Sequence, residues 1–490
     1  MAGAFTPYST GVELFGTKPN WIPWELDILR IQSYQTYEEI YWNVPDVFKV
    51  ALRGSNELPI YVPSGRTLID TTNRYVCSSF GVVTAGPSAT DNQAALDAID
   101  ALMRRERFKA KFNGNKRYGL IRGDSVWHVT ADETKPEGSR ITLTAIDPAM
   151  YFPIPDDDDV DRIVGVHLVE QIETSNGPRI RRLTYRKVPQ ANGTNQITVE
   201  DGLFEIDKWG GPTATPATVL KPVTPLPPSI TSIPVYHTKN MEEPGNPFGS
   251  SELRGLERIM GALNQTMSDE DLTLALDGIG VYATDSSEPI DPRTKQRVPW
   301  RLGPGRVAHV DGTFFNRVNG AANLGGSYGA HYDRLWEALK QSSSTPDIAI
   351  GRVDVQAAES GIALALQLGP MLSKAGEKND LVIGVQDQMW FDLTTMWMTA
   401  YEGTSFDDVI TSCVPGDAVP VDRAKRFAEL NDMLDRGVID TAYYRTEAAK
   451  LGYVFPENIG DTASAEFNAR NVDQFAGRVG EELANDVPAA

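Results

Sequence analysis

Apolar positions fall at helical spacing in some tracts of the chain and alternate at strand spacing in others. Leu253, Leu256, Met260, Leu263 and Met267 recur at spacings of three, four, three and four. That is a narrow seam on one helix face, which asks for a neighbouring helix. A loop broken by Pro244 and Gly249 precedes it. Ser250, Ser251 and Glu252 then offer side-chain oxygens and a negative charge to an N-terminus, so a long helix is expected over 250–277. Within this chain the seam would meet the domain's own core; between chains it would meet another subunit. Helical spacing also marks Trp24 to Trp42, with Leu26, Leu29, Tyr34, Tyr37 and Tyr41 on one face, and 91–108, behind an apparent capping box at Thr90 to Gln93. It returns at His331 to Gln341. The longest tract, Ala357 to Glu402, contains Pro370, which is expected to kink it. Asp422 to Arg436 and Thr441 to Leu451 predict two further helices broken at Gly437.

Strand-like alternation fills much of the first half. Pro59 to Pro63, Tyr75 to Thr84, Ile141 to Ile146, Ile163 to Ile172, Ile180 to Val188, Leu203 to Ile206 and Ile230 to His237 read as strands. Tyr118 to Arg122 and Val126 to Thr130 around Gly123-Asp124 read as a hairpin. Residues 209–229, rich in Pro, Thr and Gly, read as a stiff extended connector. Short β pieces at Gly280 to Thr284, Val298 to Leu302 and Arg306 to Val310 predict a small β-rich insertion between two helices. The fold class is α+β.

The 490 residues are enough for about three domains, and 41% hydrophobic content with nine Trp supplies a sizeable core. A net charge of -20 argues against a protein that holds nucleic acid by neutralising phosphates. It does not argue against a protein that lets DNA slide past. The basic exception is the insertion, with Arg293, Lys295, Arg297, Arg301 and Arg306. Its cations would touch DNA weakly, pair with an acidic protein surface, or simply be solvated. Cys77 and Cys413 lie in no metal-ligand spacing. The N-terminus lacks the basic and apolar regions of a signal peptide, and no apolar window approaches the roughly 20 residues of a membrane span.

Catalytic patterns are absent from the sequence. It contains no phosphate-binding Gly-x-x-x-x-Gly-Lys-Ser/Thr and no Gly-x-Ser-x-Gly elbow, and its five His are scattered. His167 is expected to be exposed or hydrogen-bonded on a strand rather than a ligand. The acidic run Asp156 to Asp161 lacks the interleaving and glycine of a calcium loop and reads as a solvated loop. No cofactor and no enzymatic activity are expected.

The succession of stretches resembles bacteriophage portal proteins of actinobacterial long-tailed phages. It is carried by Ile31-Gln-Ser-Tyr34 to Trp42-Asn43, Leu52-Arg-Gly54 with Pro59 to Pro63, Ile233 to His237, Gly249 to Leu253, Glu359-Ser-Gly361 to Pro370 with Glu377, and Leu430 to Gly452. The resemblance implies an N-terminal arm over 1–20, a wing over 21–249, a stem helix over 250–277, a β-rich clip over 278–329 and a second stem helix over 330–342. A tunnel loop over 343–357 would follow, then the wing's long kinked helix to 420, an α-helical crown over 421–456 and a tail over 457–490. In that reading Ser344, Thr345, Asp347, Arg352 and Asp354 face DNA, the basic clip meets the terminase, the adaptor or DNA, and the stem seam contacts the adjacent subunit. The implied assembly is a dodecameric ring at one capsid vertex of the virion. It would bind the major capsid protein, the terminase large subunit and a head-tail adaptor, and pass double-stranded DNA without gripping it. A tail or adaptor structural protein, or a carboxylate-dependent hydrolase, are the alternative readings.

Overall fold

The computed structural model describes most of residues 26–448. Outside it lie 1–25, 53–57, 207–212, 299–311, 319–323, 353–360, 417–422 and 449–490, with short gaps at 157, 160, 176, 192, 214, 280, 286, 289, 314, 407, 440–442 and 445–446. The chain divides into two compact units, Met1–Ala418 and Val419–Ala490.

In the first unit, helices α1 (Leu26–Tyr41), α2 (Pro45–Phe48) and α3 (Ser64–Tyr75) lead to strand β1 (Phe80–Ala85). Next come α4 (Ala89–Arg105), α5 (Phe108–Arg122), β2 (Asp124–Ala131) and β3 (Ile141–Ile146). Strands β4 (Tyr151–Pro155), β5 (Ile163–Thr174), β6 (Gly177–Pro189), β7 (Asn195–Glu205) and β8 (Thr218–Pro225) form one antiparallel sheet in sequence order. Strand β9 (Val235–Lys239) returns to the other side of β2, giving a three-stranded sheet ordered β3-β2-β9. The fold is mixed α and β with several separate sheets.

Several sequence expectations are corrected here. Residues 118–122 are not a strand: they end α5, and Gly123, at φ 99°, stops the helix and turns directly into β2. Amphipathic alternation over five residues cannot separate a last helical turn from a strand. Helix α4 starts before the apparent capping box, because Ser88 rather than Thr90 accepts the Asp91 amide. Residues 58–63 form no ladder: the Ile60 and Val62 amides donate to the side chains of Ser268 and Asn264. Residues 64–75, with no predicted element, are helical. Within the supposed connector, residues 218–225 pair with β7 as an edge strand, where Pro222 and Pro225 need no ladder partner on the open side.

The largest core stacks Phe108 of α5 on Trp127 of β2, ring centroids 5.1 Å apart, with Trp390 edge-on to Phe108. Two histidines are buried, His128 on the face of β2 turned to Tyr185 and His167 on the opposite face of the five-stranded sheet. His128 Nε2 lies 3.0 Å from the Tyr185 hydroxyl, and His167 Nδ1 lies 2.9 Å from the Thr184 hydroxyl. Burial, reinforced by Arg181, pushes His128 down to about 4. Burial with Arg182 and Arg186 pushes His167 down to about 3. Because both folded values lie below the unfolded one, the folded state binds fewer protons between them. Stability is therefore full above pH 6.5 and falls as the pH drops towards 4. Unfolding free energies from urea titrations at pH 7 and 4.5 should differ by on the order of 2 kcal/mol per histidine. A His128→Gln, His167→Gln double variant should flatten that slope; an unchanged slope would show that the histidines do not carry it.

The second unit contains the helix Arg423–Asp435. Gly437, at φ 68°, closes it, with the Gly437 amide bonded to Leu434 and the Val438 amide to Met433. Tyr444 then folds back to donate to Asn431. The expected break at Gly437 is present; most of 441–451 lies outside the described residues.

Candidate functional site: a helix pair, a hairpin and an anchored loop

Helix α6 (Glu257–Ile279) and helix α7 (Leu324–Ser342) are joined through a hairpin of β10 (Val281–Thr284) and β11 (Phe315–Val318), with Val281 opposite Val318. Met260 and Leu263, early in α6, share a buried cluster with Leu339, late in α7, so the helices run antiparallel. Tyr332, Leu335 and Trp336 of α7 pack on the same cluster.

Helix α6 starts later than the sequence suggests. Ser250 to Leu256 form a turn containing Gly255 at φ 83°, and the helix proper begins at Glu257. Ser251 donates to the Ile121 carbonyl and accepts from the Leu253 amide within this turn, and the Glu252 amide bonds to Leu120. The seam finds its partner inside the chain. Leu253, Met260 and Leu263 are fully buried and Leu256 is nearly so, against Ile40 and Tyr41 of α1, Leu68 and Ile69 of α3, and Leu120 and Ile121 of α5. This overturns Leu253, Leu256, Met260 and Leu263 as subunit contacts, since side chains buried within their own chain cannot reach another molecule. Met267 is half-buried.

The loop behind α7 is folded rather than loose. Ser344, at φ 51°, takes the left-handed position that ends the helix; its amide bonds to Gln341 and the Thr345 amide to Lys340. Asp347–Ile350 make one 3₁₀ turn closed by Gly351 at φ 89°, and the Arg352 amide returns to the Asp347 carbonyl. Lys340 spans the loop, 2.6 Å from both Asp347 and Glu337. Burial works against its charge, but the bonds to Asp347 and Glu337 prevail and hold its pKa above the ordinary lysine value. Of the expected channel-facing residues, Thr345 is buried, Ser344 and Asp347 are half-buried and Arg352 is exposed. Thr345 therefore cannot face a channel; its hydroxyl donates to the Ser343 carbonyl. Asp354 lies outside the described residues.

Beneath the loop runs α8 (Gly361–Asp392), followed by a π-helical turn Leu393–Trp397 and α9 (Met398–Tyr401), and then strand β12 (Ile410–Pro415). Helix α8 passes through Pro370, whose missing amide leaves the Leu366 carbonyl without its helical donor. A cleft of about 560 Å³ separates the end of α7, the loop and α8, lined by Lys340, Ser344, Asp347, Arg352, Gln367 and Pro370.

Two lysines of α8 reach up from its buried side. Lys374 Nζ lies 2.8 Å from Glu252 Oε1, 2.6 Å from the Ser343 carbonyl and 3.1 Å from the Thr72 hydroxyl. Lys378 Nζ lies 2.9 Å from Glu252 Oε2 and 2.8 Å from Asn240 Oδ1. Burial opposes the charge on Glu252, yet Lys378 and Lys374 hold its carboxyl below the ordinary range. Burial lowers Lys374, against the pull of Glu252. One ionic knot thus ties α3, the entry to α6, the end of α7, β9's exit and α8. The sequence reading missed both lysines. Their signal was the spacing of four, which puts them on one helix face.

A second polar knot supports the first from below. Asp124, fully buried, accepts from Tyr34, from the Gly249 amide at 2.8 Å, and meets His237 Nε2 at 2.6 Å. Here the Asp and His fix backbone and ring positions inside the core.

In the expected clip, Arg293, Lys295 and Arg297 are exposed on a turn closed by the Ile290 to Arg297 bridge, with Lys295 at φ 57°. Arg301 and Arg306, like the strands expected at 298–302 and 306–310, lie outside the described residues. Among the described residues no group of three His, Cys, Asp or Glu could hold a metal, and no helix is long and apolar enough to cross a membrane. Compared with known proteins, the chain matches no family model and no curated protein sequence.

Proposed function

We propose that this chain is the subunit of a bacteriophage portal, a ring at one capsid vertex that passes DNA inward at packaging and outward at ejection. The observation that carries this reading is the order of parts around the site. An antiparallel helix pair holds a β hairpin at its far end and is rooted in an α/β body. An anchored polar loop and a 32-residue helix follow. That order matches stem, clip, second stem helix, tunnel loop and wing helix, as the sequence resemblance implies. In such a ring Arg352 and Ser344 are the loop positions open to passing DNA, and Arg293, Lys295 and Arg297 offer the clip a basic surface for an acidic terminase or adaptor. The net charge of -20 suits a channel that must not hold phosphates. The role is structural, with no turnover of its own.

Purified full-length chain should run as a large closed ring, of dodecameric mass if the likeness holds, by native mass measurement and electron microscopy. A monomer across wide ranges of salt and concentration would overturn the proposal.

A further inference from the structure

The ionic knot around Glu252 also contains a group that can react. Asn240, at the exit of β9, is fixed twice: its backbone amide donates to the Gly123 carbonyl at 2.8 Å, and its side-chain Nδ2 donates to the Ser250 carbonyl at 2.9 Å. That turns Oδ1 to α8, where it accepts from Lys378 Nζ at 2.8 Å. A C=O bond is about 1.2 Å long, so the lysine nitrogen lies within roughly 4 Å of the carboxamide carbon Cγ. Glu252 completes the set. Its Oε2 lies 2.9 Å from the same Nζ and has no other polar partner among the described residues. Lys378, Asn240 and Glu252 are 5%, 8% and 9% exposed, which keeps bulk water from all three.

An amine, a carboxamide and a carboxylate held together away from water are the components of an amide exchange. We propose that the folded chain joins Lys378 to Asn240 by an isopeptide bond, with Glu252 moving the protons. Glu252 Oε2 accepts one proton from the Lys378 ammonium, and the freed amine adds to Asn240 Cγ. A second proton from Nζ passes through the carboxylate to the departing nitrogen. The bond formed is Nζ–Cγ and the bond broken is Cγ–Nδ2; ammonium leaves with both protons, Glu252 ends as a carboxylate, and nothing is oxidised or reduced. The step also settles the charge of the knot. Before it, two lysines share one carboxylate; after it, Lys374 and Glu252 pair one to one, and an uncompensated buried charge is what burial penalises most. The joined residues are 138 positions apart, with α6, the hairpin and α7 between them, so the bond would lock both roots of the helix pair. It is a single event in each chain, and it does not depend on the ring.

The test weighs the intact full-length chain by mass spectrometry, freshly purified and after prolonged incubation. The wild type should be one ammonia lighter than its sequence, and a tryptic digest should contain a branched peptide joining the segments of Asn240 and Lys378. Lys378→Met, which leaves Glu252 paired with Lys374 and should fold, is expected to keep the full mass. Glu252→Gln should slow the loss of ammonia at least roughly a hundredfold, as removal of a proton-transfer group does. A wild-type chain that stays at its sequence mass after incubation overturns the bond. So does a loss of ammonia that persists in Lys378→Met, which would mean that Asn240 or another asparagine cyclises on its own backbone. Cross-linking of a folded Glu252→Gln variant at the wild-type rate would overturn the role of Glu252.

Discussion

Replacing Glu252 with glutamine is expected to destabilise the first unit by about 3–5 kcal/mol, as large an effect as a core truncation. The carboxylate is the sole anion shared by Lys374 and Lys378 in the described structure, at 2.8 and 2.9 Å. A glutamine keeps the shape and removes the charge, leaving two buried ammonium groups that share one neighbourhood. The cost should depend on pH with a definite sign. Burial already lowers Lys374, and without the pull of Glu252 it is easier still to deprotonate folded than unfolded, so the variant binds fewer protons folded and regains stability as pH rises towards the unfolded lysine value. Urea unfolding at pH 7 and pH 9.5 would show the wild-type advantage shrink. Glu252→Gln with Lys374→Met and Lys378→Met removes all three charges and should recover much of the loss, since an apolar set of similar volume often matches a buried ion pair. A Glu252→Gln variant within 1 kcal/mol of wild type at pH 7 would mean that water reaches this knot.

Adding a single methyl group at Gly249 is expected to cost about 3 kcal/mol or more, at the upper end of overpacking effects. A Cβ there would press into the Gly123 carbonyl oxygen and sit 2.8 Å from the Asn240 nitrogen, both backbone atoms that cannot rotate away. The reverse approach is as close, because a Cβ on Gly123 would lie 2.7 Å from the Gly249 carbonyl oxygen. Two backbones cross here without side chains, and the Asn240 amide bonds to Gly123 while the Gly249 amide bonds to Asp124. Gly249→Ala should therefore lower the thermal midpoint sharply, whereas Gly245→Ala, with open space at its Cβ but φ 77°, should cost about 1 kcal/mol of backbone strain. Equal midpoints for the two variants would contradict the close crossing.

The residues that the sequence made legible were those whose period is set by one face. Strand β1 alternates residue by residue and β3 over most of its length, and α6 and α7 carry stripes that α1, α3 and α5 cover. What it hid depended on partners distant in the chain. The seam of Leu253 to Leu263 has the same spacing whether the covering helix belongs to its own chain or another, so its burial could not be read. The backbone of 58–63 looked like a strand because extended residues look alike, yet its amides are met by Ser268 and Asn264. The polar composition of 342–352 suggested an open loop, but Lys340 and Lys374 draw Asp347 and the Ser343 carbonyl inward. Of the site, the order of parts was visible and the ionic knot was not, because a lysine pair at i and i+4 reads as a solvated face until Glu252 is brought beneath it.

The ribbon of β1 and β12 sets a timetable for the growing chain. Phe80 pairs with Pro415 and Ala85 with Ile410, and the Cys413 amide is taken by Asp387. More than three hundred residues of synthesis separate the two strands, roughly 15 to 65 s at 5–20 residues per second. Throughout that interval β1 lacks its only ladder partner among the described strands, while Phe80 has its ring partners Phe108 and Phe112 in the nearby α5. The first unit is thus completed from its far end, and a chain cut before residue 410 would leave β1 as an open edge available to other chains.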